Sequence, residues 1–177
     1  MDQATLASWH DFYVTMGTAA ASLIGLLFVA LSINLEAITG GSRDDLRAFA
    51  EQAFNSFSVV LLIAVGFLIP TDNAASLGVA FLLLGAIVGV RMLRRAPAVW
   101  RGRQRGQLGD ALFWRFILPA GAMLGLVAAA VGFLVNQPSA LYWLVFVIIG
   151  LLMSAARSSW DLLVRVGEDR RAAAAAA

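Results

Sequence analysis

The residues of this chain that could do chemistry are few, and most of them stand on one line. Thr15, Thr18, Ser22, Gly25, Val29, Ser32 and Glu36 follow one another at spacings of 3, 4, 3, 4, 3 and 4. On a helix, that heptad alternation holds the side chains on one seam, facing a single partner or axis. If several copies of the helix surrounded an axis, the hydroxyls would line a narrow wet path. A ring of Glu36 at its mouth would favour cations. Gly17, Ala21 and Gly25 form a neighbouring line of small residues four apart, which lets helix backbones approach closely in lipid. The plainer expectation is that this face packs against the rest of the chain, its hydroxyls bonding carbonyls four residues back. A seam for an unrelated membrane partner is the third reading.

Other chemistry has little to build on. Without cysteine there is no disulfide, thiolate site or Cys nucleophile, and His10 is the single histidine, too few for a multi-His metal site. P-loop, dinucleotide-binding, HExxH and GxSxG patterns are all missing. No Asp or Glu falls in the middle of an apolar stretch. The expectation is a protein that is not an enzyme, with no cofactor and no metal. Two polar groups remain. Asn55, Ser56 and Ser58 open the second apolar stretch, either buried against another helix or lining an inner mouth. Arg91, Arg94, Arg95 and Arg157, with Arg101, Arg103 and Arg105 nearby, stand at the ends of apolar stretches. There they would meet anionic lipid headgroups at about 1 kcal/mol per basic residue.

Composition says what must position these residues. Of 177 residues, 60% are apolar and 14% charged, and the mean hydropathy is +0.82. A soluble domain is roughly half apolar and a quarter charged. So few charges suit a surface that faces lipid. They exclude a disordered chain, a nucleic-acid-binding domain and an ordinary soluble enzyme. All 13 basic residues are Arg, so a net charge of only +2 coexists with a sequence pI of about 9.9. Arginine without lysine, with abundant Ala and Gly, points to a GC-rich bacterial source.

Five apolar stretches are predicted to span a membrane, at about 12–35, 53–69, 74–90, 112–135 and 140–156. The first has no basic leader and is too long for a signal-peptide core, so it reads as an uncleaved span. Arginines occupy alternate connections: Arg43 and Arg47, then Arg91 to Arg105, then the tail from Arg157. The connections at 70–73 and 136–139 have none. The positive-inside rule then places the N-terminus outside and the C-terminus in the cytoplasm of a bacterial inner membrane. Both Arg-free connections are short and rich in turn residues, the pattern of antiparallel helical hairpins. Ala64-Val65-Gly66-Phe67-Leu68 recurs 66 residues later as Ala130-Val131-Gly132-Phe133-Leu134. That repeat describes one leading helix followed by two hairpins, duplicated or alike by chance. Amphipathic helices on the inner surface are expected at about 42–52 and 158–166. Trp9, Trp100, Trp114, Trp143 and Trp160 near the span ends read as an aromatic belt. The alanine run at 172–177 is low complexity.

The stretch from His10 to Ala30, HDFYVTMGTAAASLIGLLFVA, resembles the opening of small uncharacterised bacterial polytopic integral membrane proteins. The resemblance implies a membrane location, with no activity and no catalytic residue. The expectation is an all-α, integral membrane, single-domain protein of five transmembrane helices. It would form a homo-oligomer, with the first helix lining a small ion channel or pore. The alternative is a non-catalytic accessory or scaffold subunit docked through the same helix. Membrane lipids, anionic on the cytoplasmic face, are expected partners; nucleic acid is not.

Overall fold

The computed structural model describes residues 8–34, 44–69, 74–102 and 117–175. Among them the chain is all-helical, in five helices: α1 His10–Ile33, α2 Asp44–Leu68, α3 Ala74–Gly102, α4 Leu118–Leu134 and α5 Ala140–Ala175. Three of these, His10–Ile33, Leu46–Leu68 and Ala140–Glu168, are long and apolar enough to cross a membrane. The apolar parts of the other two, Ala75–Arg91 and Leu118–Leu134, are shorter. At 1.5 Å per residue each of those 17-residue stretches covers roughly 26 Å, just under a hydrocarbon core of about 30 Å. Glu36, residues 42–43 and residues 112–116 lie outside the described residues.

Local sequence sets the helix ends. α1 stops at Asn34, whose side-chain amide donates to the Ala30 carbonyl at 2.8 Å and whose backbone N–H donates to Leu31 at 3.2 Å. α4 starts with Pro119 in its first turn, where a missing N–H costs nothing. It ends at Asn136, the one described non-glycine residue with positive φ, at 56°. Around it Gln137 N–H donates to Gly132 and Asn136 N–H to Phe133, the paired bonds of a Schellman cap. Asparagine tolerates that left-handed position and a β-branched side chain does not. Asn136→Val is therefore expected to lower unfolding stability by about 1–2 kcal/mol, while Asn136→Gly leaves it near wild type. Denaturation of both variants in detergent checks this.

The helices pack in the order α1, α2, α5, α4, α3. α1 lies antiparallel on α2: Gly17 meets the Ala64 side chain, with space for a Cβ only 3.0 Å from it. Tyr13 stacks on Phe67 at 3.8 Å, and Phe28 meets Phe54. The second hairpin closes as expected, with Gly125 opposite Val147 and Gly132 opposite Ala140. The first hairpin differs from its expected form. α2 and α3 share only slight contact, made where Phe81 meets Gly66 and Phe67, and α3 packs along α4 instead. The cause is a second pair of glycines seven apart. Gly78 sits against the Ala130 carbonyl oxygen, and Gly85 against Val127. The repeated pentapeptides bring their phenylalanines together, Phe67 and Phe133 lying 5.8 Å apart. Under the 66-residue offset the α2–α5 pairing corresponds to α4–α3, but the two hairpins themselves are not alike.

The two expected surface segments also change. α2 begins at Asp44 and α5 is one helix of 36 residues, without a break after Ala156. At 1.5 Å per residue α5 is roughly 54 Å long, so it exceeds the span. Leu46, Phe49, Ala50 and Ala53 of α2 and Leu162 and Val166 of α5 are buried in one cluster with Leu27 of α1. The apolar faces that seemed destined for lipid headgroups thus cover each other, with the Arg165 guanidinium 4.9 Å above the Phe49 ring. On α5, Trp143 and Trp160 are both exposed. Seventeen residues separate them, roughly 26 Å along the axis, a spacing that matches two membrane interfaces. Trp9 instead packs inward on Phe12 and Tyr142.

Candidate functional site: the outward seam of the first helix

α1 has two faces built from the same small-residue vocabulary. The buried face carries Tyr13, Gly17, Ala20 and Leu27, with Ile24 and Leu31 partly covered. These positions also alternate by four and three, so the bundle takes one seam and leaves another. The seam it leaves is the one singled out by residue type and spacing. Thr15, Thr18, Ser22, Gly25, Val29 and Ser32 are all exposed. A Cβ built on Gly25 would meet nothing within 4 Å, in contrast with Gly17. Packing of this stripe against the hairpins, the plainer expectation, is therefore set aside by the placement of α1. Bulky neighbours share the open side, Leu26 at 65% and Phe28 at 54% relative exposure.

The hydroxyls are not idle. Thr15 donates to the Asp11 carbonyl, Thr18 to Val14 and Ser32 to Phe28, each at 2.8 Å. Each is satisfied by its own helix four residues back, so it can face lipid or a dry helix contact at little cost. Each oxygen keeps acceptor capacity for a neighbour's donor or a passing cation. At the start of α1, His10 and Asp11 lie 3.4 Å apart and exposed.

The basic residues sort into two kinds. Arg91 and Arg94 are exposed on α3, and Arg95 follows on the same helix. Arg157 is engaged within its own helix, 3.5 Å from Asp161 four residues on. Arg47 lies 3.1 Å from Glu51, four residues on in α2. Exposed pairs of this kind contribute little, about 0.3–0.5 kcal/mol on a helix surface.

Of the polar start of α2, Ser56 is buried against another helix, one of the two expected readings; what sequence reasoning missed is the polar seam it belongs to, between α2 and α5. Gln52 Nε2 donates to Ser154 Oγ at 3.4 Å, and Ser158 donates to the Ser154 carbonyl at 3.0 Å. Ser56, Ser154 and Ser158 are buried, while Asn55 and Ser58 are half-buried. The signal was present: Gln52 and Ser56, like Ser154 and Ser158, are polar pairs four apart on helices that run antiparallel. Such pairs join helices where lipid offers no hydrogen bonds.

Among the described residues, the Tyr13 hydroxyl and Asn34 Oδ1 are buried without a hydrogen-bond partner. The Tyr13 ring stays useful through its stack on Phe67, and the hydroxyl adds only a desolvation cost of about 1–3 kcal/mol. Tyr13→Phe is expected to be at least as stable as wild type, and a lowered melting temperature in detergent would show that the hydroxyl is engaged. Comparison of the chain with protein-family models, curated proteins and solved structures finds no match.

Proposed function

We propose that the chain is a five-span protein of a bacterial inner membrane, N-terminus outside, that works as a homo-oligomer with α1 lining a narrow ion path. The alternation of arginines supports the orientation. The two shorter helices support the span number. α4 packs along the long α5 and α3 along α4, and the outer faces of both, including Leu83 at 58% and Leu124 at 73% relative exposure, are apolar. Anionic lipid on the cytoplasmic face is the partner proposed for Arg91, Arg94 and Arg95. No catalytic residue is assigned.

One observation carries the functional reading: the heptad seam of α1 is turned away from its own bundle while the opposite seam does the packing. Side chains so aligned and left open are the ones that copies of the chain would share. Reconstitution into planar bilayers tests the pore. A cation conductance reduced by Glu36→Gln or Ser22→Leu is the expected result. An inactive protein, or a conductance indifferent to both changes, contradicts it.

A second reading is favoured by the hydroxyl bonds. Thr15, Thr18 and Ser32 satisfied within α1 suit a dry seam as well as a wet one. The chain would then be a non-conducting accessory or scaffold subunit. Pull-down in mild detergent separates the two: a stoichiometric foreign partner released by Gly25→Leu speaks for the scaffold, and a lone symmetric oligomer for the pore.

A further inference from the structure

α2 and α3 leave their linking turn together and then part. Phe81 lies 3.0 Å from the Cβ position of Gly66 and 5.5 Å from Phe67. Beyond that level α2 packs on α1 and α5, whereas α3 packs on α4. A cleft therefore opens toward the other end of the pair, the end that carries Arg91 and Arg94. Helical spacing puts Leu62, Ser58 and Asn55 on the α2 wall, along the face of Gly66. It puts Leu84, Val88 and Arg91 on the α3 wall, along the face of Phe81. Asn55, Ser58, Leu84 and Val88 are half-buried, the last two against the core, and Leu62 and Arg91 are exposed, so among the described residues neither wall is fully covered. Going from the turn toward the arginines, the walls change from hydrocarbon to the Ser58 hydroxyl, then to the Asn55 amide and the Arg91 guanidinium at about one level.

We infer that this cleft holds one phospholipid with an anionic headgroup, its acyl chain between α2 and α3 and its phosphate at Arg91. The inference rests on the five-span reading. The order of chemistry along the cleft is that of a lipid from tail to head. Guanidinium pairs with phosphate through two parallel N–H donors. Ser58 adds a donor at the depth of the ester linkages, and Asn55 one at the level of the phosphate. Basic clefts between membrane helices on the cytoplasmic side suit such lipids. The match of charge at the mouth and apolar surface within selects a lipid over a second copy of the chain, whose carboxylates near that end, Glu51 and Asp161, already pair with Arg47 and Arg157 on their own helices.

The full chain, delipidated in neutral detergent and placed in nanodiscs of phosphatidylcholine with a minor fraction of phosphatidylglycerol, provides the test. Native mass spectrometry counts the lipid that stays bound on release. Phosphatidylglycerol is expected to be retained at one per chain. Arg91→Gln should lower that retention about fivefold. Leu62→Trp should lower it too, by filling the cleft with charge unchanged. Arg171→Gln, an equal loss of charge at an exposed position far along α5, should not. Equal retention of phosphatidylcholine, or equal effects of Arg91→Gln and Arg171→Gln, would overturn the site. So would a dimer without lipid that Leu62→Trp disrupts. Carbonate extraction of membranes expressing the chain tests the span reading separately.

Discussion

Replacing Gly78 by leucine is expected to part α3 from α4 and to lower the unfolding stability of the bundle by about 3 kcal/mol or more. A Cβ at this position falls 2.9 Å from the Ala130 carbonyl oxygen and 3.1 Å from Phe133 and Leu134. The obstacle is backbone, held in the α4 hydrogen-bond ladder, and it cannot rotate away as a side-chain end would. Relief requires the helices to separate, which uncovers Phe81, Leu126 and Phe133, all now buried. Gly89, about three turns further along the same helix, is the internal control, since a Cβ there meets nothing within 4 Å. Gly89→Ala should stabilise by about 0.5–1 kcal/mol through helix propensity alone. Chemical or thermal unfolding in one detergent checks both. Equal behaviour of the two variants would contradict the α3–α4 pairing.

Gly25→Leu should do the reverse. It meets nothing within its own protomer, so the monomer should fold with undiminished stability. The seam shared between copies, however, should lose close approach, with an overpacking cost of about 1–3 kcal/mol per contact, or about tenfold to a hundredfold in association constant. Light scattering in detergent reports the mass, and a melting curve of the same sample reports the fold. A variant that stays folded but dissociates is the expected result. One that keeps its full mass contradicts an α1 interface. Gly17→Leu is the mirror image, because its Cβ would stand 3.0 Å from Ala64 and should harm the fold first.

Some of this architecture was open to a reader of the sequence. Unbroken apolar runs and the turn residues around Pro70 and Pro138 located the helices. The seam of α1 was visible because a 3-4 alternation of Thr, Ser and Gly is rare in an otherwise aliphatic run. What the sequence left open was the choice of neighbour. A short link requires two helices to be adjacent at one end only, so it could not say that α3 would turn from α2 to α4. Gly78 and Gly85 decide that, yet a glycine in an apolar helix carries no label naming its partner. The face of α1 that packs was hidden for a related reason. Both of its seams follow the same alternation of three and four, and Tyr13, now fully buried, resembles an interfacial aromatic when only its place near a span end is known. The surface segments at 42–52 and 158–166 were read from amphipathicity. That property says that a face will be covered, and says nothing of whether lipid or protein covers it. Here Phe49 and Leu162 meet in one cluster.

The central claim is that copies of this chain meet along the outward seam of α1. The chain has no cysteine, so single cysteines can be placed along α1 from position 13 to 32 and oxidised in native membranes. Disulfide-linked dimers are expected to peak at 15, 18, 22, 25, 29 and 32 and to vanish at 13, 17, 20 and 27. A flat profile without dimers, or a peak on the second set of positions, would contradict the account.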